Sequence, residues 1–184
     1  KMRVLHIAPL DVIVQNHLLT LLPALRKAGI KTELLVLFAQ HPPSPVLMAG
    51  MKRGNVPMYG LKLPHLADLV HPTTPQSIIE VATFIQSRHA DIVHTHLMTG
   101  DFLGGYGARW AHIEARVSTR HDLSEDRSAE HWRVVVGLFN RHIITSPTLA
   151  DAVQGEGVAR EHILPCGDDM VAVHRACYRD ILRG

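Results

Sequence analysis

A disulfide framework is the first thing the sequence excludes. Its 184 residues hold two cysteines, Cys166 and Cys177, with neither a disulfide pattern nor a metal-ligand spacing. Two ordinary thiols fit a reducing cytoplasm. Long apolar runs are lacking as well. None approaches the ~18 residues of a membrane span, and the N-terminus shows no signal-peptide pattern. No transmembrane segment is therefore expected, although peripheral membrane contact is compatible with the chain. Neither sign of charge dominates. The formal net charge is +2, and Lys and Arg form no stripe, which argues against a nucleic-acid partner. Internal repeats and low-complexity stretches are also missing.

What is present reads as a folded α/β domain. Hydrophobic residues make up 46% and charged residues 20%, an ordinary balance for a globular domain that excludes disorder. The length suits one domain with a sizeable core and is too short for two full lobes. Short β-branched runs alternate with helical periodicity. Strands are expected at Arg3–Ala8, Thr32–Leu37, Val56–Leu61, Asp91–Thr95, Ala115–Thr119, His142–Thr145 and His162–Leu164. Leu18, Leu21, Leu22 and Leu25 mark a helix over Asn16–Ala28, closed by Gly29. Thr74-Pro75 and Ser146-Pro147 are cap-then-proline starts for further helices. Phe102–Ala111 and Glu130–Asn140 add two more, while Gln40–Asn55 reads as a surface loop holding at most a turn of helix. The alternation predicts βαβ units in a single Rossmann-like, doubly wound parallel sheet with helices on both faces.

In such sheets ligands bind outside the carboxyl ends of the strands. Three strand ends carry candidate residues: Asp11 after the first, His96 after the fourth, and Arg120, His121 and Asp122 after the fifth. There are 14 histidines, most of them scattered, and only His94, His96 and His121 fall where chemistry is expected. His94 and His96 are two apart on a strand and share a face. His94 reads as a buried histidine bonded to a neighbouring loop. For His96 and His121 the position favours function, since an imidazole beside a carboxylate can hold an alcohol or share its proton. A zinc site built from His94, His96, His121 and Asp122 is a rival reading that spacing alone supports weakly.

At these positions the chain resembles family-4 retaining glycosyltransferases, which have the two-lobed GT-B fold. The resemblance is carried in order by Asn16–Gly29, Ala90–Leu97, Val117–Asp122, Thr145–Ala152 and His162–Gly167. It implies that residues 1–169 are the N-terminal, acceptor-binding lobe and that residues 170–184 are the C-terminal helix that packs back on it. On that basis Met170, Val173, Cys177 and Ile181 form the buried stripe of the helix. The resemblance makes His96 the reaction-centre histidine, with Asp11, Arg120, His121 and Asp122 on the acceptor side. It implies no metal and no cofactor in this chain. A nucleotide-sugar donor belongs to the complete two-lobed enzyme, whose donor lobe is expected to be missing here or supplied by a separate chain. Sugar and glycolipid acceptors both fit. One departure stands out. Val12-Ile13 occupies the place of the family's glycine pair, which removes a phosphate-cradling turn. The chain alone is therefore expected to be inactive. Two alternatives are an excised or engineered Rossmann scaffold or interaction module without activity, and a histidine-based metal hydrolase.

Overall fold

The computed structural model describes residues 1–122, 127 and 130–184. Its described residues form a seven-stranded sheet: β1 (Arg3–Pro9), β2 (Lys31–Phe38), β3 (Met58–Lys62), β4 (Ile92–His96), β5 (Ala115–Arg120), β6 (Arg141–Ile144) and β7 (Ile163–Pro165). The order is β3-β2-β1-β4-β5-β6-β7 and every pairing is parallel. The chain begins in the middle and winds outward to both edges, which is the expected doubly wound topology. Its switch point lies between β1 and β4.

Helices cover both faces. Leu18, Leu21, Leu22 and Leu25 of α1 (Val12–Lys27) pack with Val4, Ala8, Leu34, Val36, Ile92 and Val117, and α2 (Pro45–Arg53) and α7 (Met170–Ile181) join them. On the opposite face Leu5, Ile7, Leu35, Leu37 and Val93 meet α3 (Thr74–Arg88) and α4 (Leu97–Trp110). The remaining helices, α5 (Glu130–Val136) and α6 (Ala150–Gly155), help bury Ile144 toward β7. Close approach on this face depends on missing side chains. A Cβ at Gly104 would come within 2.6 Å of Thr95 Cγ2, and one at Gly107 within 2.8 Å of Val81 Cγ1.

The helix boundaries differ from expectation for local reasons. Helix α1 begins at Val12, because the Asp11 carboxylate accepts the backbone N–H groups of Ile13 and Val14 at 2.8 and 3.3 Å. The stretch expected to be irregular contains α2, where Ser44 Oγ accepts the Leu47 N–H at 3.2 Å and Pro45 takes the first helical position. Helix α4 starts directly after β4, without the expected gap. Its first residue, Leu97, has φ of 62°, a left-handed conformation costly for a branched residue and typical of functional strand ends.

Helix α7 packs on the domain beside α1 and is tied to β6 by an Arg141–Asp180 ion pair of 2.8 Å. Its buried face differs from the expected stripe. His174, Cys177 and Tyr178 are buried, flanked by partly buried Met170, Val171 and Ile181. Val173 instead lines an open groove beside Leu164 and Pro165. The stripe is rotated because two polar rings, His174 and Tyr178, find buried partners on the sheet.

Candidate functional site

Those partners form a layer of imidazoles at the carboxyl end of the central strands. Along β1 the α1/α7 face runs Val4, His6, Ala8. Along β4 it runs Ile92, His94, His96, and along β5 Val117, Thr119, with His121 next in the chain. Parallel register sets His6 opposite His94 and His96 opposite Thr119. A face that is apolar at one end thus becomes polar at the other. Helix α1 adds His17, and α7 adds His174 and Tyr178.

The rings are continuous. His6 stacks on His94 and His96 at centroid separations of 4.7 and 5.3 Å. His96 meets His121 at 5.3 Å, and His17 meets His121 edge-on at 4.8 Å. A hydrogen-bond chain threads them. His121 Nε2 lies 3.0 Å from His96 Nδ1, and His96 Nε2 lies 3.0 Å from His6 Nδ1. His6 Nε2 is 3.4 Å from the Tyr178 hydroxyl, which is 2.6 Å from His94 Nδ1, and His94 Nε2 is 2.6 Å from Thr119 Oγ1. Each neutral imidazole offers one donor and one acceptor. One proton per link, running in either direction, satisfies the whole chain.

Burial keeps these rings neutral. The His6, His94 and His96 values fall well below 6.5, mainly through desolvation and then through neighbouring histidines. His121 falls to about 3: burial dominates and His17 adds to it, while Asp101 and Asp122 oppose it. The site therefore supplies hydrogen bonds from neutral rings at neutral pH, and no imidazolium.

The other face of the same strand ends holds a carboxylate. Asp101 is buried, accepts from Thr95 Oγ1 and Ser118 Oγ, and pairs with Arg127. A buried charge is tolerable only when paired and hydrogen-bonded in this way.

The candidate residues separate on this geometry. His121 and half-buried Asp122 lie at the rim of the layer. His96 does join them, yet its exposure is 0%. In this conformation a ligand in solvent does not reach it. The central position of β4 beneath α1 is the cause, and the His96 Nδ1 lies 3.0 Å from His121 Nε2. Arg120 is buried. Its guanidinium makes a two-pronged pair with Glu156. Asp11 is engaged as the α1 cap. Its carboxylate occupies the place where a helix N-terminus would cradle a phosphate, and Val12 and Ile13 stand exposed beside it. His94 is buried, but its partners are Tyr178 of α7 and Thr119 of β5, not a loop. Among the described residues, His6, His94 and His96 offer convergent nitrogens, a different set from the one spacing suggested.

His6, His17, His174 and Tyr178 were missed by sequence reasoning. His6 had a signal, since it lies two residues from Val4 on the same face of the first strand. His174 and Tyr178, four apart on a helix, had only the amphipathic pattern, which favoured apolar residues.

The pattern that defines Glycosyltransferase Family 4 matches residues 14–170. The chain belongs to this family. No curated protein matches it in sequence. Among solved structures it is similar to a glycosyltransferase from Rickettsia africae ESF-5, at 12% identity and a TM-score of 0.67, covering 90% of this chain and 42% of that one. It is also similar to S. aureus MnaA in a co-structure with UDP, at 20% identity and a TM-score of 0.68, covering 97% and 48%. A third is the UDP-GlcNAc 2-epimerase from Neisseria meningitidis bound to UDP-GlcNAc, at 15% identity and a TM-score of 0.63, covering 99% and 52%. The family-4 chain thus spans about half the length of these structures, and likeness at such identities establishes the shared fold. No described helix is long and apolar enough to cross a membrane.

Proposed function

We propose that this family-4 domain is the acceptor-side lobe of a nucleotide-sugar-dependent glycosyltransferase, and that it does not transfer sugar by itself. The observation that carries the reading is the neutral imidazole rim, His121 backed by His96, at the carboxyl end of β4 and β5. His121 Nε2 faces inward to His96, which leaves Nδ1 for an acceptor hydroxyl. Half-buried Asp122 supplies a carboxylate at the same rim. His96 holds the ring and its tautomer, in the way that a third group orients a base. The acceptor is a hydroxyl of a sugar or glycolipid. The donor is held by a second lobe, in the same polypeptide or on a separate chain, because the α1 N-terminus is already filled by the Asp11 carboxylate. Much of enzymatic acceleration comes from holding two reactants together, and one lobe provides half of that.

The test is a panel of nucleotide-sugars against sugar, lipid and inositol acceptors with the purified 184-residue protein. No protein-dependent product is expected. Turnover above background would overturn the claim that this lobe is insufficient.

A further inference from the structure

Three imidazoles lie below the rim, where no sugar hydroxyl reaches. His6, His94 and His96 are wholly buried, and one nitrogen from each lies within 4.8 Å of the other two. We propose that these three histidines form a binding site for a single late first-row transition ion, with zinc as its representative. The inference does not rest on the glycosyltransferase reading.

The donor set selects the ion. Three neutral nitrogens with no carboxylate disfavour magnesium, calcium and manganese, and suit zinc, copper or nickel. His6 Nδ1 and His96 Nε2 are 3.0 Å apart. The edge of a tetrahedron with zinc–nitrogen bonds is about 3.3 Å, so a small opening of this pair makes room. With three protein nitrogens, a water molecule can take the fourth position of a tetrahedral set.

The outer nitrogens are already held in the way ligation requires. His96 Nδ1 faces His121 Nε2, His94 Nε2 faces Thr119 Oγ1, and His6 Nε2 faces the Tyr178 oxygen. All three partners can accept an N–H. Each ring can therefore carry its proton outward and turn a lone pair inward, which is the usual orientation of metal-binding histidines. A second observation points the same way. His174 donates Nδ1–H to the Met170 carbonyl at 2.7 Å, so its Nε2 is a lone pair, and that atom is buried without a partner among the described residues. His174 is wholly buried and its ring stacks on His94 at 5.4 Å. Half-buried His17 also has a buried, unpartnered Nε2.

The whole protein, stripped with a chelator and dialysed, is titrated with Zn2+ and with Co2+ as a coloured stand-in. The result expected is one ion per chain, a tetrahedral d–d spectrum with Co2+, and a melting temperature that rises with ion concentration. His6→Gln should weaken binding by more than about tenfold, the lower end of what outer-shell changes alone cause. The double variant His65→Ala, His71→Ala, which removes an exposed stacked pair, should leave binding intact. If His6→Gln does not fold, ring-nitrogen NMR of the unaltered protein decides. Zinc should then shift His6, His94 and His96 and leave His65 and His71 in place. No bound ion, binding indifferent to His6→Gln, or shifts confined to His65 and His71 would overturn the proposal.

Discussion

Tyr178 is the residue that joins the last helix to the strand-end histidines. Its hydroxyl bonds His94 at 2.6 Å and approaches His6 at 3.4 Å. Tyr178→Phe keeps the ring and leaves His94 Nδ1 buried without a partner, which costs about 1–3 kcal/mol. Denaturant unfolding should show a lower midpoint with an unchanged slope; an unaltered midpoint would mean that the link carries no stability. His142 gives a second test. Its ring is buried and faces the Val136 carbonyl. Burial lowers its value to about 4; Asp101 and the Val136 contact oppose the shift, and Arg120 and Arg127 add to it. The unfolded value is about 6.5. Between these values the unfolded chain takes up a proton that the folded chain refuses. The stabilisation from His142 is therefore complete above about pH 6.5 and is lost as pH falls toward about 4. Fully expressed, it is on the order of 3 kcal/mol. The gap in melting temperature between the parent and His142→Gln should narrow from pH 7 to about pH 4.5, and a constant gap would contradict this.

At the scale of elements, helix α7 is the most consequential. Beneath it lie His94, His6 and the apolar face that includes Ile92 and Val117. Full burial of one large apolar side chain is worth roughly 1.5–3 kcal/mol, against a typical total stability of ~5–15 kcal/mol. Truncation after Asp169 should therefore lower the melting temperature sharply or cause aggregation, while Arg175→Ala, on the exposed face, should do little. A truncated protein as stable as the parent would show that α7 is dispensable. The helix was legible from its apolar spacing, but its rotation was not. The pattern favours Val173 over His174; the ring that His174 packs on is His94, which also bonds Tyr178, 84 residues away in sequence. Helix α2 shows a signal overlooked in favour of composition: Ser44-Pro45 is the same cap-then-proline start recognised at Ser146-Pro147. Asp11 shows the reverse. Its strand-end position suggests a ligand contact, and its carboxylate caps α1 through the Ile13 and Val14 N–H groups.

At the scale of the molecule, the parallel sheet was readable because strands of β-branched residues alternate with periodic helices. The strand ends that gather the histidines followed from the topology. Which residues gather there was only partly readable. Spacing within one strand joined His94 to His96, but nothing in the chain announces that residues 6, 17, 121 and 174 meet them. That meeting is a product of register and helix packing. It sets His96 in a layer of buried rings that runs from His6 to His121. In the proposed acceptor lobe His121 faces the acceptor. The most direct measurement is a titration of assigned histidine side-chain NMR signals with acceptor glycosides and, separately, with nucleotide-sugars. Millimolar acceptor should move His121 and His17, with smaller shifts at His96, and nucleotide-sugars should move none of them. Nucleotide-sugar binding at micromolar affinity, about −8 kcal/mol, with shifts at His121 would contradict the account.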